Sequence, residues 1–356
     1  MMEYLAWRGD IPFSVMGLND VDALIFSALS YVRYDSLVPV GFSMTAPLRT
    51  VAKTILALPC PEERCRIQKD LQLLEAVAQT ERFGKVKMTG YRDIFIPEEE
   101  TQFAAMTFLL EDGTAVLTFR GTDNTLVGWK EDFNMSFLQS IPAQRLAKKY
   151  LADFAAESSA PIYLNGHSKG GNLAIFAAAK SESAVQDRIM AIYNQDGPGF
   201  MEEMLRDLGY QRIVPKIRTF VPRNSVIGLL LEREEPIRVI RSDSVSLLQH
   251  ELYTWQIRGR ELVAEENLAE SSRALDRTLT TWLAGMNQAE RNEFIDGVFE
   301  LLMLENAEHP KDILRPQNIF ATIRTIYGDE AKRKMMGAVL QELMASARAQ
   351  KNTQNG

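Results

Sequence analysis

The fold of this 356-residue chain is decided by one stretch, Leu164-Asn165-Gly166-His167-Ser168-Lys169-Gly170-Gly171-Asn172-Leu173-Ala174. It contains the pattern Gly-x-Ser-x-Gly. The residues before it, 161–165, are typical of a short β-strand, and residues 169–180 of a helix. Three glycines around Ser168 let strand and helix pack closely. The stretch therefore predicts a nucleophile elbow, a strained turn that presents the Ser168 hydroxyl at a helix N-terminus, where developing negative charge is favoured.

Strands and helices alternate on both sides of the elbow. The apolar patterns predict helix 20–32, a β-hairpin of 102–110 and 114–119, helix 142–157, strand 188–195, a strand ending near Val221, and strand 237–240. Such alternation is typical of an α/β fold with a mostly parallel central sheet that is flanked by helices.

Three segments lie outside this alternation. Residues 46–80 are predicted to form a helical hairpin insertion that Pro59 and Pro61 interrupt, and it is a candidate lid together with residues 226–236. Residues 1–261 then make up the main domain. Residues 262–348 are predicted to be a helical C-terminal extension, and residues 349–356 a flexible tail.

Composition restricts the classes of protein to consider. Hydrophobic residues make up 46% and charged residues 24% of the chain, as in globular proteins, and the formal charge of −7 argues against a nucleic-acid partner. The only cysteines, Cys60 and Cys65, cannot form a four-cysteine zinc site and suggest a reducing compartment. Without a signal sequence or a transmembrane segment, we expect a cytoplasmic protein, with peripheral membrane contact still open.

A serine nucleophile needs a base, and the chain has three histidines. His167 belongs to the elbow and is expected to point away from the nucleophile, and His309 lies among the C-terminal helices. His250 follows the strand 237–240, at the carboxyl edge of the predicted sheet. We therefore expect His250 to be the catalytic base.

The third member of a triad is a carboxylate that orients the imidazole. Strand 188–195 runs toward the carboxyl edge of the predicted sheet and is followed by Asp196-Gly197-Pro198-Gly199, which places Asp196 at that edge. The next strand is followed by Asn224-Ser225, without a carboxylate, and Asp243 follows the last strand. The preferred acid is Asp196, with Asp243 as the alternative.

An oxyanion hole needs backbone N–H donors. One is expected from Lys169, the residue after the nucleophile. The second is expected from Thr122 in Phe119-Arg120-Gly121-Thr122, which ends an earlier strand and in which Gly121 allows the backbone to approach.

These motifs resemble a bacterial lipase-like family of unknown function that is related to class 3 lipases. The resemblance covers roughly residues 15–260. It rests on Phe119-Arg120-Gly121-Thr122, on Trp129 and Asp132, on Gly166 to Ala174, on the turn Asp196 to Phe200 and on Gln249 to Trp255. It implies an α/β-hydrolase fold and serine hydrolase chemistry on esters. Ser168 matches the nucleophile, His250 the histidine and Thr122 the oxyanion position. The chain departs from the class 3 pattern at Asn224-Ser225, where those lipases carry the acid.

Three functions are compatible with these residues. The first is hydrolysis of carboxylic acyl esters or lipids by Ser168, His250 and Asp196, without a metal ion or organic cofactor. The second is an inactive hydrolase fold that binds a lipid or a protein, suggested by Ser225 at the usual acid position. The third is thioesterase or acyltransferase chemistry at the same site, because a triad does not determine the acyl acceptor.

Overall fold

An eight-stranded mixed sheet forms the centre of the computed structural model, which describes residues 1–122, 135, 140–225 and 227–269. The strands are adjacent in chain order: β1 Ala46–Pro47, β2 Lys87–Ile96, β3 Thr101–Leu109, β4 Ala115–Phe119, β5 Ile162–His167, β6 Ile189–Gln195, β7 Ile217–Pro222 and β8 Ile237–Ile240. A separate two-stranded hairpin pairs β9 Ile257–Arg258 with β10 Glu261–Leu262.

The type of pairing between neighbouring strands changes once across the sheet. Strands β1 to β4 pair antiparallel, and β4 to β8 pair parallel. The carboxyl ends of the parallel strands therefore lie at one edge of the sheet, where ligands usually bind in α/β folds. Residues 119–122, 167–169, 196–199 and 222–225 all meet at that edge.

Helices cover both faces of the sheet. Their bounds are α1 Met2–Arg8, α2 Asp20–Leu29, α3 Leu48–Leu56, α4 Gln68–Gln79, α5 Glu81–Gly84, α6 Pro142–Glu157, α7 Lys169–Ala179, α8 Ser183–Arg188, α9 Glu202–Leu205 and α10 Leu208–Ile213. Successive strand residues enter different hydrophobic cores, since Val116 packs with α2 to α4 whereas Leu117 packs with α6 and α7. This period of two is what a sheet buried on both faces produces.

The predicted α/β architecture is confirmed, as are the hairpin of β3 and β4, the helices α6 and α7, and the strands β5 to β8. The short helices α8 to α10 were not predicted. The main strand missed by sequence reasoning is β2, whose Lys87–Ile96 mixes charged and apolar residues. The chain bends there at Gly90, which has φ +67° and lies in a register shift against β3. Such an irregularity breaks the alternation of apolar and polar side chains by which a strand is recognised.

The hairpin insertion contains α3 and α4, separated by a short 3-10 helix at Pro61–Arg64. Its apolar side chains, including Val51 and Leu74, are buried in the core beside α2. A lid role for this segment stays a prediction. The domain boundary after residue 261 also stays a prediction, although the backbone of residues 263–265 still bonds to residues 239–241. The remaining part of the predicted C-terminal extension, with His309, and the tail 349–356 lie outside the described residues.

Candidate active site

Ser168 occupies a strained turn between β5 and α7. Its φ is +57° and its ψ −132°, a conformation that non-glycine residues rarely adopt, and its side chain is largely buried. The Ser168 N–H donates to the carbonyl of Gln195 on the neighbouring strand, at 2.9 Å. A Cβ at Gly166 would lie 2.2 Å from the backbone of Gly170. Strand and helix therefore meet too closely for any side chain at Gly166, as the sequence predicted.

The loop after β4 contacts this elbow directly. A Cβ at Gly121 would lie 3.0 Å from Cβ of Ser168 and 2.6 Å from the carbonyl oxygen of His167. The guanidinium of Arg120, just before it, forms two hydrogen bonds of 2.9 and 3.0 Å with the carboxylate of Asp93 on β2. This ion pair anchors the end of β4, and the backbone of Gly121 lies beside Ser168.

Asp196 and His250 are in direct contact. The Oδ2 atom of Asp196 lies 2.6 Å from Nδ1 of His250. Because a carboxylate only accepts, Nδ1 carries the proton and Nε2 of the neutral ring is an acceptor. That tautomer is the one that a general base for a serine hydroxyl requires.

Asp196 is fully buried and its backbone is itself strained, with φ +54°. Its N–H donates to the carbonyl of Phe220, at 2.8 Å. The turn that follows it is fixed by two amide side chains: Oδ1 of Asn194 accepts from Gly197 N–H at 2.9 Å, and Nδ2 of Asn172 donates to Gly199 O at 2.8 Å. The carboxylate is therefore held by a rigid turn on β6 rather than by a loop after β7.

Ser225 supplies the second contact of that carboxylate. Its hydroxyl donates to Oδ1 of Asp196 at 2.5 Å and accepts from the N–H of Gly228 at 3.0 Å. From the sequence, Ser225 stands out only as a serine at the usual position of the acid. The residue instead hydrogen bonds to the Asp196 carboxylate, which contacts His250.

The other candidate acid, Asp243, lies elsewhere. Its side chain is exposed and accepts from Nε2 of Gln256, while its N–H donates to the carbonyl of Thr254. Of the two carboxylates considered, Asp196 is the one within hydrogen-bond reach of Nδ1 of His250.

The elbow histidine, His167, supports the loop of His250. Its Nε2 lies 2.9 Å from the carbonyl oxygen of His250 and its Nδ1 lies 2.8 Å from the hydroxyl of Tyr31. The centroids of the two imidazole rings lie 4.4 Å apart, with the ring planes tilted by 35°. Since a carbonyl only accepts, Nε2 donates and Nδ1 accepts from Tyr31. Burial, followed by the nearby His250 and Arg66, holds the pKa of His167 well below its usual value, so the ring is neutral.

Sequence reasoning missed Tyr31, because a tyrosine in an apolar helical stretch gives no signal of its own.

Two further side chains, those of Gln249 and Trp255, hold the histidine loop from within. Gln249 accepts from the N–H of Asn224 at 2.8 Å and donates to Ser244 O at 2.7 Å, and the indole of Trp255 donates to Gln249 O at 2.8 Å. These contacts give a physical reason for the Gln249 to Trp255 motif.

Lys169 begins helix α7, where the amide groups of the first turn point out of the helix. Its side chain is buried, and its ammonium donates to both the backbone carbonyl and the side-chain oxygen of Gln102, each at 2.8 Å. The side chain therefore ties the elbow to β3. A role in substrate binding is open only to the backbone of Lys169.

A family model for Mbeg1-like proteins matches residues 77–300, a span that contains the elbow, Asp196 and His250. The chain belongs to the Mbeg1-like family. The resemblance to a lipase-like family is thus confirmed. No curated protein matches this member of the family.

Solved structures of fungal lipases are similar to this Mbeg1-like protein. One is a fungal lipase in complex with an inhibitor, with 15% identity, a TM-score of 0.37, and coverage of 62% of this chain and 78% of the lipase. A deletion mutant of Rhizomucor miehei lipase with its propeptide has 15% identity and a TM-score of 0.37, over 63% and 66% of the two chains. The native form of that complex has 15% identity and a TM-score of 0.34, over 62% and 68%.

Two features are absent from the part of the chain that the structure describes. None of its helices is long and apolar enough to cross a membrane. Nor does it bring together three or more His, Cys, Asp or Glu side chains in a group that could hold a metal ion.

Proposed function

We propose that this protein is a serine hydrolase that cleaves carboxylic esters, with acyl esters or lipids as substrates. The observation that carries the proposal is the 2.6 Å contact between Asp196 and His250, at the sheet edge where Ser168 occupies a positive-φ elbow. A tautomer-fixing carboxylate, a histidine and a serine in such a turn are the parts that acyl transfer needs.

In the proposed reaction, Oγ of Ser168 attacks the acyl carbonyl and Nε2 of His250 takes the hydroxyl proton. The backbone N–H groups of Thr122 and Lys169 stabilise the oxyanion. The C–O bond to the alcohol then breaks, and the imidazolium returns its proton to the departing alkoxide. Water, activated by His250, attacks the acyl-Ser168 ester and releases the carboxylic acid.

The direct test is hydrolysis of a p-nitrophenyl ester series from acetate to palmitate by wild type and Ser168→Ala. Loss of the serine is expected to lower kcat by up to about 10⁶-fold, as in other triad hydrolases. The preferred chain length then defines the acyl specificity. Wild-type turnover by a folded Ser168→Ala protein contradicts the proposal.

The two alternative functions differ in the observations that favour them. An inactive binding module was suggested by Ser225 at the usual acid position, and the hydrogen bond from Ser225 to Asp196 removes that reason. Thioesterase or acyltransferase chemistry uses the same residues, so it is tested by including an acyl thioester and an acceptor alcohol in the assay. A higher kcat/KM for the thioester, or transfer to the alcohol in preference to water, would assign that reaction instead.

A further inference from the structure

Arg66, in the hairpin insertion, makes a bidentate ion pair with the residue that follows the histidine. Its Nη1 and Nη2 atoms donate to the two carboxylate oxygens of Glu251, at 2.7 and 3.0 Å. The side chains of Arg66 and Glu251 are only 19% and 25% exposed. A parallel, partly buried pair of this kind fixes geometry more strongly than a surface ion pair.

The same guanidinium reaches the other support of the histidine. It lies over the ring of Tyr31, 4.5 Å from the centroid, and the Tyr31 hydroxyl bonds to His167, which donates to the carbonyl of His250. Arg66 thus contacts Glu251, which adjoins His250 in the chain, and Tyr31, which reaches His250 through His167.

Arg66 is in turn attached to a rigid element. Helix α4 begins two residues later, where Asp70 caps it by accepting from the N–H of Ile67 at 3.0 Å. The other oxygen of Asp70 accepts from the hydroxyl of Tyr253 at 2.9 Å, three residues beyond His250. The apolar face of α4 is buried in the core, so this anchor is fixed to the sheet.

We infer that Arg66 is a positioning residue for His250: its ion pair with Glu251 and its contact with Tyr31 hold the imidazole in the orientation that deprotonates Ser168. The inference rests on the proposed function. It gives the hairpin insertion a fixed, supporting role in place of the lid role considered for it.

The ion pair also sets the charge next to the base. The charged and titratable groups around the loop are Asp196, His167, Tyr31, Arg66, Asp70, Glu251 and Tyr253. Removal of Arg66 leaves the Glu251 carboxylate uncompensated, which favours the imidazolium of His250. Removal of the Glu251 charge leaves the Arg66 cation, which disfavours it. The acidic limb of the kcat/KM profile is therefore expected to move to higher pH in Arg66→Ala and to lower pH in Glu251→Gln.

The experiment compares Arg66→Ala, Arg66→Lys and Glu251→Gln with wild type, using p-nitrophenyl butyrate across a pH series. The matched control is Arg64→Ala, because Arg64 lies in the same segment but donates to the carbonyls of Arg33 and Asp35. We expect Arg66→Ala to lower kcat by about 10- to 100-fold at the pH optimum, with KM within about twofold of wild type. Arg66→Lys should restore the position of the acidic limb but not the full kcat, because an ammonium cannot make the bidentate contact.

A second readout does not depend on turnover. The proton between Nδ1 of His250 and Asp196 should give a far-downfield ¹H resonance in wild type and in Arg64→Ala, and this resonance should broaden or disappear in folded Arg66→Ala. An unchanged resonance in Arg66→Ala overturns the inference. So does an acidic limb of the kcat/KM profile that moves in the same direction in Arg66→Ala and Glu251→Gln. A wild type without esterase activity rejects the proposed function, and the resonance still decides the role of Arg66.

Discussion

The hydroxyl of Ser225, after β7, lies 2.5 Å from the carboxylate of Asp196, after β6, which in turn contacts His250. In the proposed triad the acid therefore lies one strand earlier than in the class 3 lipases that the sequence resembles. A serine at the usual acid position hydrogen bonds to it. Only the geometry at the imidazole matters for the chemistry, so a carboxylate from the neighbouring strand is an equivalent solution.

Ser225→Ala is expected to weaken catalysis without abolishing it. The change removes a hydrogen bond to Oδ1 of Asp196 and leaves the N–H of Gly228 without its acceptor. A loss of about 1.4 kcal/mol, or about tenfold in kcat, is the expected size. Steady-state kinetics should be compared with Ser181→Ala, which removes a hydroxyl that donates to the carbonyl of Ala177 in α7. Equal activity of wild type and Ser225→Ala contradicts this role.

Asp196→Asn should have a far larger effect. An asparagine amide in place of the carboxylate favours the wrong tautomer of His250, a change that costs about 10⁴-fold in kcat in a serine protease triad. Asp243→Asn is the matched control and should retain wild-type kcat, because Asp243 bonds to Gln256 at the surface. Measurement of kcat for both variants tests the choice of acid, and the reverse ranking would assign the role to Asp243.

Gly121→Ala tests the oxyanion loop. The added methyl group would lie 2.5 Å from the Tyr31 hydroxyl and 3.0 Å from Cβ of Ser168, so the loop must move away from the elbow. Displacement of an oxyanion donor costs about 10²- to 10³-fold in kcat. Gly41→Ala has no atom within 4 Å of the new methyl and serves as the control. Wild-type kcat in a folded Gly121→Ala protein would exclude Thr122 from the oxyanion hole.

The buried His167 should make stability depend on pH. Its pKa is lowered in the folded state by burial and by the neighbouring His250 and Arg66, while the ordinary value is 6.5. Below pH 6.5 His167 binds a proton in the unfolded chain but not in the folded chain. The contribution of His167 to the free energy of unfolding is therefore fully present above pH 6.5 and is lost as the pH falls. The expected slope is up to about 1.4 kcal/mol per pH unit.

Urea unfolding between pH 7 and 5 measures that slope in wild type and His167→Asn. The variant should have the flatter dependence of the free energy of unfolding on pH. Parallel curves for wild type and His167→Asn would mean that His167 does not resist protonation.

A buried ion pair links helix α5 to helix α2. Arg82 and Asp22 are both fully buried, and Arg82 also donates to the carbonyls of Ile11, Met16 and Gly17. Arg82→Ala leaves the Asp22 carboxylate uncompensated and should lower the free energy of unfolding by about 3–5 kcal/mol. The control is Arg92→Ala, at a partly buried position on β2. In urea denaturation its free energy of unfolding should be much closer to that of wild type.

Much of the fold could be predicted because local signals agreed with it. The apolar runs around Asp112-Gly113 became the β3–β4 hairpin, and the glycines around Ser168 became the turn between β5 and α7. The hairpin and the turn depend on patterns within about ten residues, which the sequence displays directly. The position of Asp196 at the carboxyl edge was predicted from the direction of the strand that it follows.

The supporting contacts could not be predicted in the same way. Tyr31 and Arg66 reach the histidine loop from 136 residues before His167 and 185 residues before Glu251, respectively. Nothing in the neighbourhood of either residue indicates such a partner. Only the packing of α2 and α4 against the sheet brings them to the site.

The most direct test of the proposed activation of Ser168 by His250 is labelling of the purified protein by a fluorophosphonate, with the modified residue located by mass spectrometry. Such a probe reacts with a serine that an adjacent base activates. If His250 activates Ser168, wild type will carry a single modification on Ser168, Ser168→Ala will carry none, and labelling of His250→Ala will be strongly slowed. A folded wild type that stays unlabelled, or equal labelling rates in wild type and His250→Ala, would contradict this activation.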